Sequence, residues 1–159
     1  MKRFLILILL VCLLTGTAGC AKSNENTCTF YYLRTEETIL YGQPDALIAP
    51  VTLEISGQNA EPEYLLQLYL DGPTKANYYN PIPKGTCLLS TLQEENRLIL
   101  VLSEEFSSLE HVRLTLALSC LAATCHSLTG MEAIHIRSGE ETYDFTINDC
   151  IFLDDSTGE

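Results

Sequence analysis

Residues 96–139, NRLILVLSEEFSSLEHVRLTLALSCLAATCHSLTGMEAIHIRSG, read as strand, helix and strand in a single pass. Leu98 to Leu102 is an unbroken apolar run of strand length, which suits a strand covered on both faces or nearly so. Ser107-Ser108-Leu109-Glu110 has the spacing of a capping box, in which a Ser hydroxyl and a Glu carboxylate satisfy open amides at a helix start. Apolar residues then recur at Leu114, Leu118, Leu121, Cys125 and Leu128, and Gly130 is placed to end the helix in a left-handed conformation. AIHIR, residues 133–137, alternates as a strand. The stretch predicts a long core helix between two strands.

The flanking segments extend this pattern. TCLLSTL at 86–92, joined to the 97–102 strand by QEEN, predicts a central β-hairpin. YDFTI at 143–147 pairs with AIHIR around SGEE, and CIFL at 150–153 offers a last edge strand. Upstream, EPEYLLQLYLDGP puts Pro62 in a first helical turn, gathers Leu65, Leu66, Tyr69 and Leu70 on one broad face, and stops at Gly72-Pro73. CTFYYLR at 28–34 and PVTLEIS at 50–56 have the alternation and residue types of strands. Strands and two helices in one compact domain are expected.

The N-terminus reads differently. Lys2 and Arg3 precede an unbroken apolar run from Phe4 to Leu14, and Thr15 to Gly19 are small. Eleven residues at about 1.5 Å each span roughly 16 Å, short of the ~30 Å a stable transmembrane helix crosses. This is a secretory signal over 1–19 rather than an anchor. Ala18-Gly19-Cys20 resembles the bacterial lipobox, with Thr17 where leucine is usual, and Cys20 is therefore expected to carry acyl chains such as palmitate. The alternative, Cys20 as a disulfide partner, stays open. Residues 20–27 form the lipidated tether and linker, 28–153 the folded domain, and 154–159 an acidic tail. No further apolar run of spanning length is read beyond the signal.

Formal net charge is -12 over 159 residues, and loss of Lys2 and Arg3 with the signal leaves seven basic against 21 acidic residues, or -14. Such a surface is pushed away from phosphate backbones, so no nucleic acid partner is expected. The 47% hydrophobic content is that of a folded chain. Of seven cysteines, Cys12 leaves with the signal and Cys20 is taken by lipid, leaving Cys28, Cys87, Cys120, Cys125 and Cys150. Five is odd, so at least one thiol stays unpaired or pairs between chains, and buried free thiols acting as small hydrophobes are the preferred reading.

In the order helix, Gly-Pro, hairpin, long helix and strand, the chain resembles the GerMN domain of the sporulation and spore germination family. The matching pieces are YLLQLYLDGP at 64–73, Ile82-Pro83-Lys84-Gly85-Thr86, NRLILVLSEEF at 96–106 and SLTGMEAIHIRSG at 127–139. The resemblance implies an α+β fold, a single domain with a mixed β-sheet and two helices packed on one face, in a lipid-anchored envelope protein on the outer face of the cell membrane of an endospore former, related to ring-building motifs of sporulation assemblies. Its partners would be envelope or sporulation-assembly proteins, with homo-oligomerisation left open. The chain departs from the pattern in its cysteines, in its single copy, and in Ser138-Gly139 where the family has Asp-Gly.

Little in the sequence points to catalysis or a cofactor. His111 and His126 lie fifteen residues apart on one helix and His135 on a strand, without short zinc-ligand spacing. Cys125 and His126 are helical neighbours whose side chains diverge by about 100°, which does not suit a nucleophile and its base. The paired carboxylates in SEEF, QEEN and SGEE lack the ligand spacing of a calcium loop and read as solvated turns. NYYNPIP, 77–83, is the segment to watch: Tyr78 and Tyr79 offer either an aromatic contact patch or a ring folded back over the hairpin. No catalytic, cofactor or metal residue is assigned, and a protein acting by protein–protein contact in sporulation or germination is expected. The alternative is an envelope lipoprotein that binds a small ligand or cell-wall fragment.

Overall fold

The computed structural model describes residues 27–35, 47–55 and 61–150. The signal over 1–19, the lipidation residue Cys20, the linker up to 26, CIFL beyond Cys150 and the 154–159 tail lie outside the described residues.

Among the described residues, seven strands and two α-helices confirm the α+β class, and the strands divide into two sheets where the sequence suggested one. The first sheet has the order β2-β1-β3 and is antiparallel. Its strands are β1 (Thr27–Arg34), β2 (Ile48–Glu54) and the short β3 (Tyr78–Tyr79). The second, β4-β5-β6-β7, comprises β4 (Leu88–Glu94), β5 (Arg97–Leu102), β6 (Ala133–Ser138) and β7 (Glu141–Thr146). Among the described strands only β5 and β6 run parallel, in register from Arg97↔Ala133 to Leu102↔Ser138. A parallel pair needs a long crossover, and α2 (His111–Thr129) supplies it.

The sheet edges follow local chemistry. Pro50 lies opposite Tyr31 on the edge strand β2, where a missing N–H costs nothing because that side faces away from β1. The Tyr31 amide, turned away from Pro50, is taken by Thr124 Oγ1 of α2 at 2.9 Å. Thus α2 is bonded to the first sheet while connecting strands of the second.

The consequence for α2 is burial all round. Ala117 to Cys125, nine successive residues, are all buried. The stripe expected from the sequence, Leu118, Leu121 and Cys125, packs into the main core with Leu98, Leu100, Ile134 and Ile136. On a second side of the same helix, Cys120 and Leu116 meet Leu33 and Ile48 of the first sheet. Length and composition would let α2 cross a membrane, with a mean hydropathy of 1.2 over 18 residues, a correction to the sequence reading that no such run follows the signal. Here its apolar middle is enclosed by protein.

The start of α2 also differs from expectation. Glu104–Ser108 forms a 3-10 turn anchored by the fully buried Phe106, whose ring meets Tyr143 at 5.7 Å. Ser107 and Ser108 turn their hydroxyls back onto the Glu104 and Glu105 carbonyls, each at 2.7 Å, so no capping box forms. The N-cap is Glu110, without a side-chain hydrogen bond. Gly130, at φ 75°, ends the helix as expected, its N–H bonding the His126 carbonyl at 2.8 Å.

α1 (Pro62–Leu70) closes the core from the side. Leu65, Leu66 and Tyr69 are buried, and Tyr69 stacks on Tyr32 at 5.1 Å with Phe30 edge-on at 5.7 Å. The Tyr69 carbonyl accepts from Tyr32 Oη at 3.2 Å and from Asn80 Nδ2 at 2.9 Å, fixing the helix end and the loop leading to β4.

Two faces of α2 make different demands. Leu121→Ala is expected to cost about 2–5 kcal/mol through transfer and cavity terms. Ala123→Leu, at a position 2% exposed and away from the main stripe, is expected to cost about 1–3 kcal/mol by overpacking. Urea unfolding measures both; an unchanged midpoint for Ala123→Leu would mean that this side of the helix faces water.

Candidate functional site

The exposed large apolar side chains among the described residues are Tyr64, Tyr79, Leu89, Leu92 and Val112. Two of these, Tyr64 and Leu89, gather where α1 meets β4, and Leu92 lies further along the same strand. The neighbourhood follows from two polar ties: Gln67 Oε1 accepts the Leu88 N–H at 3.3 Å, and the Thr91 hydroxyl donates to the Glu63 carboxylate. With Leu65, Leu66 and Tyr69 turned inward, helical geometry leaves Tyr64 outward, 60% exposed.

β4 is irregular at this point. The β4–β5 register shifts between Leu88 and Ser90, so Leu89 is the extra residue of a bulge, with its side chain 63% exposed. A groove of about 340 Å³ runs between Glu63, Tyr64 and Gln67 on the helix and Leu88 to Ser90 on the strand. Leu92 pairs with Ile99 and so stands on the sheet face opposite the core residues Leu98 and Leu100. The far end of β4 is Glu94, followed by the two-residue turn Glu95-Asn96, with Glu95 at φ 45° and Arg97 3.0 Å from Glu94. That exposed ion pair adds little stability.

The residues singled out from the sequence do not converge. Tyr78 and Tyr79 form β3, pairing with Arg34 and Leu33; Tyr78 packs against the core while Tyr79 is exposed, as alternation along a strand requires. His135 Nδ1 lies 2.7 Å from Asp144 Oδ1 across β6 and β7, and His126 Nδ1 bonds the Met131 carbonyl at 3.2 Å. His111 starts α2 at φ 50°. Among the described residues no group of three or more His, Cys, Asp or Glu side chains is placed to hold a metal ion. The SEEF and SGEE carboxylates lie in exposed turns, and the Glu105 carboxyl is held below its ordinary range by the Ser103 hydroxyl.

All five described cysteines are free thiols. Burial raises the Cys28 and Cys120 thiols and pushes Cys125 up to about 12 and Cys150 to about 11. They are packing groups, held as neutral thiols. Cys87 alone of the five is exposed, its amide bonded to Ser103 Oγ at 2.9 Å.

Ser138 is a polar residue the sequence marked only as a departure from a family pattern. It is fully buried; its hydroxyl donates to the Ser103 carbonyl at 2.7 Å and accepts the Ser107 N–H at 3.2 Å. This one side chain ties the end of β6 to both ends of the 3-10 turn that precedes α2.

Comparison with known proteins adds to this geometry. A family model described as Germane, sporulation and spore germination, matches residues 29–144, a span that holds both helices and runs from within β1 to within β7. No curated protein sequence matches the chain. Among solved structures, the crystal structure of a candidate lipoprotein from Clostridium perfringens is similar at a TM-score of 0.50 and 20% identity, covering 80% of this chain and 91% of that one. At that identity the likeness concerns the fold.

The thiol environments make a direct prediction. In the folded protein, iodoacetamide is expected to label Cys87 rapidly and Cys150 slowly, leaving Cys28, Cys120 and Cys125 unlabelled until denaturant is added. Peptide mapping by mass spectrometry reads the order, and resistance of Cys87 would mean that it is covered or paired.

Proposed function

Because this chain belongs to the Germane family of sporulation and spore germination, we propose that it is a lipid-anchored protein of the cell envelope that works through contacts with other proteins of a sporulation or germination assembly. The observation that carries this reading is the extent of the family match, which spans both sheets and both helices rather than a single motif. Anchoring is inferred from the short apolar signal followed by Ala18-Gly19-Cys20. The acyl chains would be on Cys20, holding the domain on the outer face of the membrane by a tether of a few polar residues.

A contact role rather than catalysis fits the side chains at hand. The Cys125 thiol is wholly buried and pushed up to about 12, while His126 is bonded to a backbone carbonyl, so these neighbours do not act as nucleophile and base. The exposed Tyr64 and Leu89 lie along an open groove beside β4, a shape suited to a protein surface.

Two measurements test the proposal. Cys20→Ser is expected to leave unprocessed precursor or release soluble protein, while Cys28→Ser leaves fractionation unchanged; mass spectrometry of the N-terminal peptide should find a diacylglyceryl increment on Cys20. Membrane residence unaffected by Cys20→Ser would overturn the anchor. In the native spore former, deletion of the gene is expected to lower heat-resistant spore yield or slow germination. Normal yield together with normal germination kinetics would overturn the role.

A further inference from the structure

We infer that the outer edge of β4, with the groove between it and α1, is a docking site for an extended, positively charged segment of a protein partner, which adds beside β4 as a further strand. β4 ends its sheet, and among the described residues no strand pairs with its other side. The Glu94↔Arg97 pair closes the two-residue turn, and alternation along an antiparallel ladder then turns the N–H and C=O of Thr91 and Gln93 away from β5. Edge strands are commonly blunted by lysine or proline. LLSTLQE, the whole of β4, contains neither, and its bulge lies at Leu89, upstream of the open groups.

An added strand would find apolar contacts on both sides of the sheet. Its side chains alternate, so one set meets Tyr64 and Leu89 along the groove while the other meets Leu92 on the opposite face. Main-chain hydrogen bonds give such a complex affinity, and the side chains decide which segment fits.

Charge selects the occupant. Glu63 stands beside Thr91, whose hydroxyl it accepts, and Glu94 and Glu95 lie past Gln93, with Arg97 offsetting Glu94. A segment bearing Lys or Arg is attracted to that rim. A second copy of this chain, with a formal net charge of -12, is repelled by it.

This docking rests on the contact reading of the family domain, yet it is tested on purified full-length protein, so its failure and a normal deletion phenotype are separate results. The probe is an octapeptide alternating lysine with valine. Binding is expected to slow hydrogen exchange at the Thr91 and Gln93 amides and to weaken as salt rises. Leu92→Lys and, separately, Glu95→Lys are expected to weaken it roughly tenfold, with thermal melting confirming that each variant is folded. The idea is overturned by equal binding of a peptide with glutamate in place of lysine, by protection at β7 instead of β4, or by no binding at all. It is equally overturned if Thr91 and Gln93 become protected without peptide as protein concentration rises, since the occupant would then be a second copy.

Discussion

Enclosure of the middle of α2 on all sides is the constraint from which the remaining architecture follows. A helix between two sheets can bury nine successive residues only if many are small, and Ala117, Ser119, Ala122 and Ala123 meet that need. The larger residues point where space exists, Leu118 and Leu121 toward the β5–β6 side and Cys120 toward Leu33 and Ile48. Thr124 adds a polar requirement, because the Tyr31 amide on β1 has no strand opposite among the described residues and takes the threonine hydroxyl instead. The first sheet is thereby positioned by the same helix that forms the crossover of the second.

Much of this was legible in the sequence, and the exceptions have physical causes. The run Leu98 to Leu102, the periodic leucines of α2, the stop at Gly130 and the short helix after Pro62 are local signals, and each formed where read. Which strands pair is a long-range matter: β1 joins β2 and β3, while β4 begins a separate sheet, and no periodicity encodes that partition. The second buried side of α2 was present as a density of small residues in ALSCLAATC, which a search for one leucine stripe passes over. The capping box failed because Phe106 and Leu109 pull residues 104–109 into the core as a separate turn. Of the candidate site, Leu89 and Leu92 could be placed on a strand, but their exposure depends on β4 lying at an edge. Cys20 lies outside the described residues, so its reading rests on sequence alone.

Ser138 shows how a departure from a family pattern can be accommodated. Where the family resemblance leads one to expect aspartate, this chain has a hydroxyl that both donates to the Ser103 carbonyl and accepts from the Ser107 amide. An ionised carboxylate could accept the amide hydrogen but has no proton to give the carbonyl. A buried site offering one donor and one acceptor thus suits serine, and it avoids enclosing a charge.

The composition of α2 also bears on delivery. A chain carried across a membrane, as proposed for this one, passes through the translocation channel unfolded, and there the enclosing sheets do not yet exist. An 18-residue stretch of α2 with mean hydropathy 1.2 is then long and apolar enough to be offered sideways to lipid. Arg113 and the hydroxyls of Ser119 and Thr124 make that exit less favourable, and the small residues lower the apolar area that would reward it. The side chains that let two sheets close around the helix also favour its complete passage, so packing and export are served by the same residues in one segment.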